Sequence, residues 1–324
     1  MSVGAQAAEV PDLSGIYDVS TLTPLRRPQK FGERLILSDE EAEAIARAEA
    51  LLIAKREASD ANRTAPPAGG NVGSYNRFWF DRGKGAFKID GKWRTSIITD
   101  PVNGRHPPLT GEAKARATAR AKLSRPNSAN AWWVTEGIDP GPFDDPEMRS
   151  LTERCLMGFG SVAGPPMLPV GYNNLKRIVQ TKAYVLIYVE MIHDARIIRM
   201  DSEHAPSDIR NWLGDSVGHW EGETLVIDTT NFNDTPALAN ASRNLHVIER
   251  LTRIDDDTLL YQFTVDDPTV WTKPWSGEYP WPSTESRIYE YACHEANYSF
   301  GGILRGARLL EREAHEQAGQ NEPK

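Results

Sequence analysis

No stretch of the 324-residue chain approaches the roughly 18 consecutive apolar residues of a membrane-spanning helix. Basic charge is also in short supply. Lys and Arg number 37 against 45 Asp and Glu, a formal charge of −8. That balance argues against a nucleic-acid binder, which needs a basic footprint to meet phosphates. The phosphate loop, Gly-x-Gly-x-x-Gly and Cys-x-x-Cys are all missing, so nucleotide, nicotinamide and iron–sulfur functions are unsupported and no organic cofactor is expected. No helix-length segments alternate with the strand candidates of the second half, which removes a parallel βαβ design. Cysteine is nearly absent: Cys155 and Cys293 stand alone. In an exported chain they pair, closing a long loop and constraining the unfolded state by ~4 kcal/mol. In a reducing compartment they are two buried thiols.

What is present is ordinary globular material with two accents. Hydrophobic residues make up 40% and charged residues 25%, enough for a sizeable core in one large domain or two small ones. Nine Trp and 22 Pro stand out. Trp-rich, Pro-punctuated β proteins bind aromatic compounds or sugars, but Trp is also simply a large core residue. Ala5-Gln6-Ala7 has the small-x-small pattern that precedes a signal-peptidase cut, without a basic and an apolar region before it. Residues 1–11 therefore read as a signal-peptide remnant or a disordered N-terminus, and the expected compartment is periplasmic or extracellular.

In chain order, Asp12–Val19 reads as a short first strand. Ser38 and Glu41 form a capping box that opens a surface helix over 38–58, with Ile45, Ala48, Leu52 and Ile53 on one side. Residues 59–73 are a polar loop. Phe78–Phe80 and Thr95–Ile98 read as strands around a hairpin turn at Asp90-Gly91. A second surface helix is predicted over 110–123, followed by a Pro- and Asp-rich stretch and a Gly/Pro-rich one. From Lys176 onward, strand candidates succeed one another across short turns: 176–181, 184–193, 195–200, 217–221, 224–230, 245–254, 258–266, 270–277 and 286–294. A helix over 301–317 and a disordered tail over 318–324 close the chain. The expectation is mainly β: an antiparallel up-and-down (lipocalin-like) barrel or a strongly curled sheet with peripheral helices. One domain over 12–317 is expected, with 20–170 as embellishment.

The most informative segment is Tyr184–Arg196. Val185, Ile187, Val189 and Met191 share one parity, Tyr184, Tyr188 and Glu190 the other, and His193, Asp194 and Arg196 follow at once. A strand with a Tyr/Glu face predicts one wall of a ligand pocket. The candidate catalytic residues are Glu190, His193, Arg196 and His246. The candidate ligand-binding residues are Tyr184, Tyr188, Trp220, Asp194, Glu249 and His294. His246 and Glu249 are three apart, so only one of them can face a barrel interior. Glu290 and His294 would share a face of the last strand. Gly214-Asp-Ser-Val-Gly218 lacks the setting of a serine nucleophile, and His294-Glu-x-x-Tyr298 lacks the second His of a zinc-protease helix.

Three functions compete with a purely structural role for these groups. In the first, Glu190 or a His does acid/base chemistry, its pKa tuned by burial, on a small aromatic, terpenoid or glycoside-like molecule, as a lyase, isomerase or hydrolase. In the second, the protein binds or carries such a small-molecule ligand without converting it. In the third, His193, His246 and His294 with a carboxylate hold a metal, for which the spacing is not diagnostic. Plain cross-strand pairing of Arg196, Arg250 and Arg253 is the structural alternative.

Several long motifs also recur together: Gly70–Gly83 (GNVGSYNRFWFDRG), Glu190–Arg196 (EMIHDAR), Trp212–Phe232 (WLGDSVGHWEGETLVIDTTNF), Asn244–Arg250 (NLHVIER), Thr264–Pro268 and Tyr289–Tyr298 (YEYACHEANY). In these the chain resembles a large family of exported bacterial proteins, most of them described only as hypothetical. The resemblance spans about residues 12–312. It implies export and assigns no catalytic residue.

Overall fold

A computed structural model describes residues 10–57, 80–123, 125, 129–295 and 297–320. Most of the Gly70–Gly83 motif, and the strand expected at Phe78–Phe80 except Phe80 itself, lie outside the described residues. The fold is a ten-stranded curled sheet with peripheral helices. The first half contributes β1 (Gly15–Asp18), α1 (Asp39–Glu57), a hairpin of β2 (Lys88–Ile89) and β3 (Lys92–Trp93), β4 (Ile98–Asp100), α2 (Gly111–Leu123) and α3 (Trp132–Thr135). The second half contributes β5 (Leu175–Gln180), β6 (Tyr184–Val189), β7 (Ala195–Met200), β8 (Asp215–Glu221), β9 (Thr224–Thr230), β10 (His246–Asp255), β11 (Thr258–Asp266), β12 (Trp275–Pro282) and α4 (Tyr298–Gln320).

Local chemistry sets the boundaries. The capping box forms as expected: the Ser38 N–H donates to Glu41 Oε2 at 2.8 Å and the Glu41 N–H to Ser38 Oγ at 3.2 Å. Ile45 of α1 packs on Leu37, Ala42 and Ala86, while Leu52 is exposed. Asp90 and Gly91 both take positive φ, 51° and 70°, which suits the two-residue turn between β2 and β3. Of the strand expected at Thr95–Ile98, Ile98 alone lies in a strand, as the first residue of β4. The strand expected at 270–277 is shifted onto β12, because Asp267 holds 267–271 in a turn. Its backbone carbonyl accepts the Val270 and Trp271 N–H groups, and its side chain accepts from Thr269. The strand expected at 286–294 does not form. That stretch is irregular and is held by side chains instead of a ladder. The stretch 184–193 stops being a strand at Val189, and a tight turn follows in which Ile192 and His193 have φ of 62° and 56°.

The sheet runs β1-β5-β6-β7-β8-β9-β10-β11-β12-β4. Neighbours from β5 to β12 are consecutive, as in an up-and-down design, but β7 and β8 are parallel, with Ile198 opposite Ser216. Residues 201–214 carry the chain back along the sheet to make that possible. The curl brings β1 against the far end of β12 through a Tyr17–Ser283 bridge and a 2.9 Å bond from the Thr284 N–H to the Ile16 carbonyl.

The face turned into the curl is apolar. Val185, Ile187, Leu225, Ile227, Val247, Leu251, Tyr261, Phe263, Trp275, Tyr279 and Trp281 are all buried in one cluster. This decides the parity of β6 against expectation. Val185, Ile187 and Val189 are fully buried, Tyr184 is 51% exposed, and Tyr188 lies on the outer face. The aliphatic face goes inward because it loses most by meeting water. Met167, also fully buried, plugs the interior: its N–H donates to the Tyr261 hydroxyl at 2.8 Å and its carbonyl accepts from the Tyr279 hydroxyl at 2.7 Å. Trp220 is partly buried and packs against the same core.

The two ends of the sheet differ. At one end the strands turn tightly, at 181–183, 222–223 and 256–257. At the other lie the long segments 161–174, 190–194, 231–245 and 267–274. Rigid strands that present long loops at one end are the usual support for a binding or catalytic site.

Candidate functional site

Inside the curl, chemistry and stability meet first at Arg196. It points inward from β7 and is buried, as is Glu249 on β10. Arg196 Nη1 donates to Glu249 Oε1 at 2.9 Å and Nη2 to Oε2 at 2.6 Å, the bidentate geometry of a strong pair. Nη2 also lies 3.2 Å from Ser216 Oγ and 3.3 Å from Thr229 Oγ1. The Tyr261 hydroxyl donates to Glu249 Oε1 at 2.6 Å. Burial works against the guanidinium charge, and the Glu249 carboxylate outweighs it and raises the Arg196 pKa. Glu249 is therefore an internal counter-ion and not a ligand contact. Arg196 is anchored by it, with Nε alone buried and without a hydrogen-bond partner among the described residues. His246, three residues from Glu249, faces outward, as the offset requires.

The turn after β6 gathers the other candidates. Glu190 Oε1 accepts the Tyr289 N–H at 3.1 Å, and His193 Nε2 accepts the Tyr291 N–H at 3.2 Å. Both side chains thus pin the 289–291 strap, and burial raises the Glu190 pKa. The Cys155–Cys293 disulfide fastens the same strap, with Cα atoms 5.7 Å apart. His294 is exposed beside it, and Glu290 and His294 share no strand face. Behind the turn sits Lys176, the first inward residue of β5 after Leu175. It is fully buried, and its Nζ has no hydrogen-bond partner among the described residues. Burial drives its pKa down to about 7, against the opposing pull of Glu190, Asp194 and Asp18. Burial pushes the Asp194 carboxyl up to about 6, against the Gly158 N–H and the Lys176 charge, and Asp194 Oδ2 is buried without a hydrogen-bond partner among the described residues.

Asp194 and Arg196 line one cleft of about 300 Å³ together with Ser216, Asn211, Trp212, Leu213, Leu156 and Met157. An orphan acceptor, Asp194 Oδ2, and an orphan donor, Arg196 Nε, thus belong to two residues of the same cleft wall. Buried polar atoms without partners are rare in native proteins and require an explanation. Ile192 and His193 hold left-handed backbone next to it, a conformation that costs on the order of 1–3 kcal/mol per residue for a non-glycine and clusters at functional sites.

On the outer face the sequence reading missed a chain of groups. Arg199 Nη1 donates to Asp215 Oδ1 at 2.6 Å, and His204 Nδ1 lies 3.0 Å from Asp215 Oδ2. His204 Nε2 and His246 Nε2 lie 3.2 and 2.9 Å from the same Asp228 Oδ1. The Asp228 bond raises the His246 pKa. This relay ties the 201–214 connection to β8, β9 and β10, and only His246 carried any signal in the sequence. His193, His246 and His294 do not converge. Among the described residues no group of three or more His, Cys, Asp and Glu has an arrangement that could hold a metal ion.

The relay gives a stability prediction. Asp215 is held at about 2: burial would raise it, but the Arg199, Ala205 N–H and His204 bonds prevail. A lowered carboxylate stabilises the fold fully above its unfolded pKa of 3.8 and loses that contribution as pH falls toward 2. Asp215→Asn is expected to cost about 1–3 kcal/mol at pH 7 in urea unfolding, with the difference from wild type shrinking below pH 3.8.

No protein-family model, curated protein or solved structure matches the chain.

Proposed function

We propose that the protein is an exported enzyme performing cofactor-independent acid/base chemistry on a small molecule in the Asp194 cleft. The observation that carries this reading is Asp194 itself, a cleft-lining residue whose carboxyl is raised to about 6 and has one oxygen without a hydrogen-bond partner among the described residues. Asp194 is the proton-transfer group, because a carboxyl near 6 is close to half ionised under mildly acidic conditions and suits both directions of transfer. Lys176 sits behind it without a hydrogen bond and sets its charge through space. Asn211 and Ser216 are the neutral polar residues of the lining, and Trp212 supplies an aromatic wall. In this reading Asp194 takes the acid/base role, and Glu190 and His193 hold the strap. The substrate class is small aromatic, terpenoid or glycoside-like, and the reaction a lysis, isomerisation or hydrolysis.

A second reading, a binding or carrier protein, is favoured by the engagement of Glu190 and His193 with backbone amides, which leaves Asp194 without a second acid/base group in the cleft. Turnover separates the two. Against a panel of such compounds, Asp194→Asn is expected to lower the wild-type rate by about 10²–10⁴-fold. Wild-type activity rises as pH passes through about 6 if Asp194 acts as base. Undiminished turnover by Asp194→Asn sinks the acid/base reading, and binding without conversion supports the carrier. Export is supported by the disulfide, since such bonds persist in oxidising compartments.

A further inference from the structure

A second and larger cavity lies at the same loop-bearing end. It measures about 650 Å³ and is separated from the Asp194 cleft by one loop: Leu156 and Met157 line the cleft, Gly160 and Ser161 the cavity. Its size falls in the range of sites that enclose a small organic ligand. Leu22, Leu25, Leu168, Val170 and Leu238 give it an apolar wall. The charge on its rim is of one sign. Among the described residues Arg26 and Arg82 line it and no Asp or Glu does, in a chain that carries a net −8. Arg82 leans on Glu49 at 3.8 Å, whereas Arg26 is exposed and has no ion pair among the described residues.

His106 completes the cavity. Its ring packs against Trp275, with centroids 4.5 Å apart, and its Nε2 is buried without a hydrogen-bond partner among the described residues. A neutral imidazole nitrogen in that position accepts or donates one hydrogen bond. An apolar chamber, a rim with two guanidinium groups and an unpartnered imidazole nitrogen together define a ligand with an apolar body and a single anionic head.

We propose that this cavity binds an amphipathic anion, its hydrocarbon part among the leucines and its carboxylate or phosphate head at Arg26 and His106. The site does not depend on the acid/base reading, and neither its success nor its failure bears on Asp194.

The test uses the full chain, by calorimetry, with dodecanoate and dodecyl phosphate below their micelle concentrations and 1-dodecanol below its solubility limit. At least one anion is expected to bind 10-fold or more tightly than the alcohol, and the stronger of the two identifies the head group. Arg26→Glu is expected to remove that preference while Arg26→Lys keeps it, and Arg26 is exposed enough for either change to leave the fold intact. Histidine NMR supplies an independent readout. Burial and the Arg26 charge hold His106 at about 4 in the free protein; dodecanoate raises that value and 1-dodecanol does not. Equal affinity for alcohol and anions, no binding of any probe, or wild-type anion affinity in Arg26→Glu overturns the proposal.

Discussion

Glu249→Ala is expected to destabilise the protein by about 3–5 kcal/mol, because it leaves the Arg196 guanidinium buried without a counter-ion. The pair is sealed, at 1% and 0% side-chain exposure, so water cannot replace the lost carboxylate. Arg196→Met alone is expected to cost a similar amount, since it leaves the Glu249 carboxylate buried without its two guanidinium bonds while the Tyr261 hydroxyl still donates to it. The double variant Arg196→Met with Glu249→Leu separates a pairing effect from a packing effect. Two apolar groups of similar volume satisfy each other, so the double variant should recover much of the loss of either single one. Urea unfolding of the four proteins checks this. Additive losses would mean that each side chain contributes by packing and that the pair itself contributes little.

The second large effect concerns the covalent strap. Cys155 and Cys293 are 138 residues apart, and opening a loop of that size frees unfolded-chain entropy worth about 5 kcal/mol. Replacing both by Ala is expected to lower stability by up to that amount, with engineered cases falling short when the unfolded chain keeps structure. The location adds a functional consequence. Cys155 precedes Leu156 and Met157 of the cleft wall, and Cys293 follows the strap held by Glu190 and His193. The double variant is therefore expected to weaken any Asp194-dependent turnover at temperatures where the fold itself survives. Circular dichroism melting gives the first quantity and activity well below the melting temperature gives the second.

The sequence revealed the strands from β5 to β11 because their periodicity is local, and short turns forced neighbours to pair. It did not reveal which face of β6 goes inward. Alternation yields two faces, and Tyr184 and Tyr188 resemble a pocket lining as readily as an outer surface. Only the competing aliphatic face, Val185–Ile187–Val189, settles the matter, and it does so once the sheet curls around it. The 286–294 stretch misled for a related reason. Tyr289 and Tyr291 alternate as in a strand, but a strand needs a free ladder edge, and this segment found side-chain acceptors instead. Residues 53 apart formed the Arg196–Glu249 pair, and His204 reached Asp228 only through the parallel crossing between β7 and β8. Such contacts depend on topology, which local pattern does not encode. His193-Asp194-x-Arg196 was legible as a site from its density of ionisable groups, but the partner that tunes it was not. Lys176 reads in the sequence as one more surface lysine at a strand start.

Lys176 and Asp194 hold the account together. Asp194 is raised by burial, so its contribution to stability is fully present below 3.8 and lost as pH rises through about 6. Lys176 is lowered by burial, so its contribution is lost as pH falls from 10.5 through about 7. Carbon NMR of the Asp194 carboxyl, in wild type and in Lys176→Met, tests this pairing most directly. The wild-type carboxyl should titrate near 6, and loss of the lysine charge should move it higher. Titration near the ordinary 3.8, or a value that Lys176→Met leaves unchanged, would contradict the account.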